Sequence, residues 1–237
     1  MKEGYRMNQI IDLNIEFERN NTLQAIHPII LKDDKHLVLV DTAYPDFLTH
    51  IENALLKHHI NPIDLTHIFI THHDIDHIGA LRRMKDKYPH IKIVSTEAES
   101  DYISGKKKSL RLEKMEEMLK DAPLDQKPMY QAFCDRLKAI EKVEVDIKIQ
   151  YGDILPWLGG TKILLTPGHM PNHASLYVIH EKVVITGDAA SVQQGVIQTV
   201  SPQFTLNMDD AKKSLDFILS LDAERYFCFH GGLYFKK

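Results

Sequence analysis

Residues 72–77 carry three imidazoles and two carboxylates, in the order Thr71-His72-His73-Asp74-Ile75-Asp76-His77-Ile78-Gly79. The apolar run over residues 65–71 that leads into them reads as a buried strand. Clustering such hydrophilic and readily ionised groups at a strand end is costly unless a counter-charge offsets it. Imidazole nitrogens and carboxylate oxygens are metal ligands, so a bound metal pair would supply that charge. The competing reading is a polar turn in a chain that holds 14 histidines.

Three later segments share the design. Residues 164–169 end on His169, residues 183–188 end on Asp188, and residues 227–232 carry His230. Each is a β-leaning apolar run that stops on a potential ligand, with glycine alongside to permit close backbone approach. A single case reads as a strand-end turn; four in one chain point to one converged site. The apolar run 38–40 likewise stops on a carboxylate. Asp41 either caps a turn or supports the metal loop from behind.

The elements that must position these groups follow from periodicity. Apolar β-leaning runs at 10–17, 22–31 and 36–40 predict an opening meander, turned at Asp33-Asp34. Helical spacing covers 45–58 and 78–88, with strands at 65–70 and 91–94. Strand, helix, strand implies a parallel crossover. Residues 97–142 are charged and helical, with helices predicted near 110–120 and 128–141. They read as an insertion laid over the domain rather than part of its sheet. Lys106, Lys107 and Lys108, with Arg111, read as a solvated basic face. Tyr102, Met115, Met118, Tyr130 and Phe133 are candidate pocket-lining residues, but packing within the insertion is the favoured use of each. Further strands are expected at 143–150, 153–158, 162–166, 175–180, 182–186 and 226–229. A hairpin turn falls at Gly159-Gly160, and a last helix spans 209–221, capped by Asn207 or Asp209.

Composition sets the background. A chain of 237 residues with 43% hydrophobic residues fits one large α/β domain, residues 1–237. A formal net charge of −4 gives no general pull toward nucleic acid or anionic membranes. No apolar run approaches a bilayer span, and the N-terminus lacks a secretory signal. Cys134 and Cys228 form no framework, so the expectation is a cytoplasmic protein with two buried, inert thiols.

With these motifs assembled, the chain resembles the metallo-β-lactamase superfamily over nearly its whole length. Members carry a His-x-His-x-Asp-His loop, then a later His, an Asp and a final His. Asp41, the 71–77 loop, Thr166-Pro167-Gly168-His169, Gly187-Asp188 and His230-Gly231-Gly232 match the five family motifs in order. The resemblance implies an αββα sandwich and a dinuclear site. One metal would be held by His72, His169 and the residue at position 74. The other would be held by Asp76, His77 and His230, with Asp188 and a hydroxide bridging. His73 and His173 would lie behind the ligands or at the surface.

One position departs from the pattern: Asp74 stands where the family places its second histidine. Two divalent ions bring +4 against −3 from Asp74, Asp76 and Asp188, and a bridging hydroxide makes the total zero. A histidine at 74 would leave +1. On that count the site would favour oxygen-preferring iron or manganese over zinc.

The resemblance implies hydrolysis of a small-molecule ester, lactone or thioester by the metal-held hydroxide, with Asp76 carrying a proton to the leaving group. Ser191 stands where acyl-homoserine lactonases place a tyrosine. The chain runs only seven residues past His230, short of a glyoxalase II-like helical domain and of the flavin domain usual in diiron redox members. A phosphodiesterase or nuclease using the lysine run, and a diiron redox or non-catalytic metal-binding protein, are the rival readings. A homodimer through the insertion is compatible with its exposed helices.

Overall fold

A computed structural model describes residues 8–19 and 21–236; residues 1–7, read above for a secretory signal, lie outside it. The strands of the first half are β1 (Gln9–Asp12), β2 (Ile15–Arg19), β3 (Thr22–Ile26), β4 (Ile29–Lys32), β5 (Leu37–Val40), β6 (His67–Ile70), β7 (Lys92–Thr96) and β8 (Ile147–Ile149). Among them lie the helices α1 (Leu48–Lys57), α2 (Ile75–Ile78), α3 (Leu81–Lys87), α4 (Glu97–Ile103), α5 (Leu110–Asp121) and α6 (Lys127–Lys138). The second half holds β9 (Ile154–Leu155), β10 (Thr161–Leu165), β11 (Ala174–Val178), β12 (Val183–Gly187), β13 (Ser191–Gln193) and β14 (Val196–Gln198), followed by α7 (Met208–Ser220), β15 (Arg225–Cys228) and β16 (Gly232–Phe235).

Two six-stranded sheets form, ordered β1-β4-β5-β6-β7-β8 and β16-β15-β12-β11-β10-β9. Strand alternation explains how they stack. Ile29, Leu31, Val38, Val40, Phe69 and Val94 of the first sheet face Ile163, Leu176, Val178, Val183, Ile185 and Phe227 of the second, in one buried layer. The opposite face of the first sheet, with Ile30, Leu39, Ile68 and Ile93, packs under Ile51, Leu81, Leu112, Met115 and Leu137 of the helices. Leu164, Val184, Tyr226 and Cys228 do the same under Ile218 of α7. This is the expected αββα sandwich.

β5, β6, β7 and β8 run parallel, as do β12 and β15. The crossover from β6 through α3 to β7 is the one expected. The C-terminal ends of β5, β6, β10, β12 and β15 deliver the loops that carry Asp41, the 71–77 motif, His169, Asp188 and His230. Thr71 O accepts from Ala174 N at 3.1 Å and ties the two sheets together at that edge.

Several local expectations are corrected. The run 10–17 breaks at Asn14, whose φ is +39°, and the run 22–31 breaks at His27-Pro28. β2 and β3 then leave the main sheet as a separate hairpin. The helix expected over 78–88 is α3, and a separate short helix, α2, precedes it within the metal loop. Only residues 147–149 of the 143–150 run are strand; Val143 and Val145 are buried without a partner strand. α4, the β13–β14 hairpin and β16 were not expected. Among the described residues no helix is long and apolar enough to cross a membrane.

Candidate metal centre

Asp41 anchors the loop after β6 from behind. It sits at φ +64°, a conformation that is strained for a non-glycine residue and that persists only where surroundings enforce it. Its carboxylate accepts from Thr71 N at 2.9 Å, Thr71 Oγ1 at 2.9 Å and His77 Nδ1 at 2.8 Å. Thr71 gives its one hydroxyl proton to Asp41, so its oxygen accepts from His72 Nδ1 at 2.9 Å. Nδ1 of both imidazoles is thereby committed as a donor, which leaves Nε2 as the atom each ring turns toward the same space. Of the two roles open to Asp41, the structure shows the supporting one.

All seven residues singled out as ligands come together there. His72, Asp74 and His169 form one group and Asp76, His77 and His230 another, each with ligand atoms within 4.8 Å of one another. Asp188 lies between them: Oδ1 is 3.5 Å from His77 Nε2, and Oδ2 is 3.4 Å from His169 Nε2 and 3.7 Å from His230 Nε2. Asp74 Oδ2 is 3.0 Å from His169 Nε2 and 3.7 Å from His72 Nε2. His230 Nε2 is 3.3 Å from Asp76 Oδ2.

Electrostatics follow the geometry. Burial pushes the His72 imidazole well down, and the neighbouring His77 adds to this. Burial would raise Asp188, but His230, His77 and His169 hold it well below the usual carboxylate range. Burial would lower His77, and Asp41, Asp188 and Asp76 outweigh it, holding the ring well above its usual value.

Whether a metal suits these residues is decided by what they lack. His72 Nε2, His77 Nε2 and Asp188 Oδ1 are buried without a hydrogen-bond partner. Leaving each unmade costs about 1–3 kcal/mol, which divalent cations shared among these lone pairs would remove. The donor set of imidazole and carboxylate fits such ions.

Behind this layer stands a second that the sequence showed only in part. His173, fully buried, accepts from Asp188 N at its Nε2 (2.9 Å) and donates from Nδ1 to Thr166 Oγ1 (2.8 Å). Gly187, at φ +52°, makes this approach feasible: a Cβ there would lie 2.7 Å from His173 Nε2. His73 is buried too. Its Nδ1 donates to Glu99 Oε2 at 2.5 Å, its Nε2 accepts from Leu110 N at 3.3 Å, and its ring stacks on Tyr102. Glu99 was not foreseen; an acidic residue in a polar stretch gives no signal of burial.

The main correction concerns Arg111. It is no part of a solvated basic face: only 5% exposed, it donates to both oxygens of Asp74, from Nη2 to Oδ2 (2.6 Å) and from Nε to Oδ1 (3.2 Å). Nη2 also donates to Phe204 O at 2.7 Å. Burial would raise the Asp74 carboxyl; Arg111, with His169 beside it, holds it well below the usual range. Lys106, Lys107 and Lys108 do remain at the surface, paired with Glu144, Asp101 and Glu116. Counting Arg111, the formal charge of the loaded site becomes +1 rather than zero, the value a histidine at 74 would give. The charge reason for preferring iron or manganese therefore falls away.

A cavity of about 590 Å³ opens over the site, lined by Tyr44, Met115, Phe133, Arg136, Ser191 and Phe204 among others. Met115 and Phe133 both line it and pack against the core, so the packing favoured from the sequence does not exclude a lining role. Tyr130 packs against the core, and Met118 is 39% exposed on the outer face. Both cysteines are buried and free, and burial pushes the Cys228 thiol up to about 12.

An αββα sandwich whose strand ends gather imidazoles and carboxylates around unpartnered lone pairs defines a metallohydrolase fold. The model of the metallo-β-lactamase superfamily matches residues 22–230, and the chain belongs to that superfamily and to its metal-dependent hydrolases. A probable metallo-hydrolase of Bacillus subtilis, YflN, is 25% identical over 221 residues, 87% of this chain and 80% of that protein. The metallo-β-lactamase family protein TTHA1429 of Thermus thermophilus superposes with a TM-score of 0.69 at 19% identity, covering 95% of this chain and 74% of that one. AidC, a dizinc quorum-quenching lactonase solved with its product N-hexanoyl-L-homoserine, superposes with a TM-score of 0.64 at 24% identity, over 91% and 76% of the two chains.

Proposed function

We propose that the chain hydrolyses a small-molecule ester, lactone or thioester with two divalent metal ions. His72, Asp74 and His169 hold one, Asp76, His77 and His230 the other, and Asp188 reaches both. The observation that carries this reading is the convergence of buried, unpartnered nitrogens from His72 and His77 on Asp188. Bound ions of this kind supply Lewis acidity and lower the pKa of a water. Asp41 and Thr71 keep His72 and His77 in their ligating tautomers. Asp76 and His230 stand on the open side, 17% and 34% exposed at their side chains, and Asp76 is the group placed to pass a proton to the leaving group.

Zinc suits the set as well as iron or manganese once Arg111 is counted, and AidC shows the fold carrying two zinc ions. Helices α4–α6 cap the cavity of what we read as one domain, since Leu112, Met115 and Leu137 share a core with the first sheet. Arg19 and Arg136 line the same cavity, and neither makes an ion pair among the described residues. A substrate bearing a carboxylate or similar anion meets both. We place the protein in the cytoplasm, where two free thiols persist.

The test is a panel of ester, lactone, thioester and phosphodiester substrates with zinc-, manganese- and iron-loaded protein. Turnover of one acyl class, abolished by a chelator and lowered at least roughly a hundredfold in Asp76→Asn, is expected. Phosphodiester turnover alone would overturn the assignment.

A further inference from the structure

We propose that Asp74 and Arg111 act as one unit that replaces a single neutral histidine at the first metal position. Arg111 supplies from α5 the charge that lets a carboxylate serve there. This rests on the dinuclear reading above and goes beyond it, because the second partner of the unit comes from the insertion and lies outside every motif.

Three observations carry it. Arg111 donates to both Asp74 oxygens, and its Nη2 also lies 3.4 Å from His169 Nε2, so the cation sits at the ligand group itself. Each carboxylate oxygen has two lone pairs; Oδ2 keeps one for the space it shares with His72 and His169. Finally, Arg111 is the second residue of α5, after the cap Ser109 and Leu110. A cation in the first turn opposes the helix dipole, and a local rule broken this way marks a position chosen for something other than the helix. The preceding residues reinforce the docking: His73 binds Leu110 N as Asp74 binds Arg111, so neighbours in the metal loop grip neighbours in α5.

The alternative is that Arg111 merely anchors α5. The two differ in what happens when Asp74 becomes histidine. If the pair is a charge-balanced unit, Asp74→His leaves an unpaired guanidinium beside the ions, and removing that guanidinium repairs the site. If Arg111 is only an anchor, removing it as well makes matters worse.

The experiment measures zinc affinity by competition with a chromogenic chelator, together with zinc content per chain and thermal unfolding. It compares wild type, Asp74→His and Asp74→His/Arg111→Met. Asp74→His is expected to bind its first-position zinc roughly tenfold or more weakly, and the double variant to return within about threefold of wild type. A single variant that fails to fold while the double variant folds supports the charge-balanced unit equally. A single variant with wild-type affinity, or a double variant as poor as the single or poorer in binding or folding, overturns the proposal. Wild type that binds no zinc sinks this proposal and the dinuclear reading together. Wild type that binds two but cleaves no acyl substrate sinks only the substrate assignment.

Discussion

His77 Nδ1 lies 2.8 Å from Asp41 Oδ2, joining the last residue of the metal loop to the end of β5. That carboxylate sets the His77 tautomer and, through Thr71, that of His72. Asp41→Asn keeps the backbone, because asparagine tolerates the positive φ that Asp41 adopts, but removes the charge and turns one of two accepting oxygens into a donor. Metal affinity is expected to fall about 10–100-fold with the fold intact. Chelator competition with circular dichroism as control checks this; unchanged affinity would refute the supporting role.

Gly187 should not tolerate a side chain. Gly187→Ala combines a strained φ of +52° with a Cβ 2.7 Å from His173 Nε2. A loss of about 1–3 kcal/mol in urea unfolding is expected, together with weaker metal binding as Asp188 shifts. Wild-type stability would show that the His173 contact is not formed.

The metal-free protein should lose stability in mild acid through His173. Burial, with His169 nearby, brings its pKa from 6.5 to about 3. Between those values the unfolded chain takes up a proton that the folded protein refuses, so this contribution falls as pH drops below 6.5, with a slope approaching about 1.4 kcal/mol per pH unit. His77 and His230 are shifted upward and act with the opposite sign, their stabilisation being lost as pH rises. The difference between wild type and His173→Gln isolates the term, since the glutamine carbonyl can still accept from Asp188 N. A difference that stays flat from pH 7 to 5 would contradict it.

The insertion should loosen when its grip on the metal loop is cut. His73→Ala leaves the Leu110 N–H without its acceptor and Glu99, fully buried, without its partner. A cost of about 1–3 kcal/mol is expected for each polar group left buried without a partner. Hydrogen exchange should rise first in α5, and uniform exchange changes would argue against local docking.

Arg136→Ala should raise KM for substrates carrying a carboxylate while leaving their kcat, and the KM of neutral analogues, nearly unchanged. Equal effects on charged and neutral substrates would remove Arg136 from recognition.

The candidate ligands were legible in the sequence because every one lies in a segment that follows an apolar strand, and that combination of burial and ionisable chemistry is visible in one dimension. The sandwich was legible for the same reason: Ile29, Leu31, Val38 and Val40 alternate with residues of the opposite face. β13, β14 and β16 escaped because they are short and mix polar residues with no sustained period. Pro28 and Asn14 divided runs whose apolar character continues across them. Arg111 escaped because it follows three lysines that are solvated, and composition does not distinguish a cation facing water from one facing Asp74. One signal was present: Ser109 caps the helix, which places Arg111 in its first turn, against the dipole.

The central claim is that seven side chains from four strand-end loops hold two ions. Metal content per chain tests it most directly, measured by mass spectrometry on protein grown with zinc, manganese and iron supplied and freed of loosely bound metal by gel filtration. Two ions per chain are predicted, with one or none in Asp188→Ala. Fewer than one per chain in the wild-type protein would contradict the account.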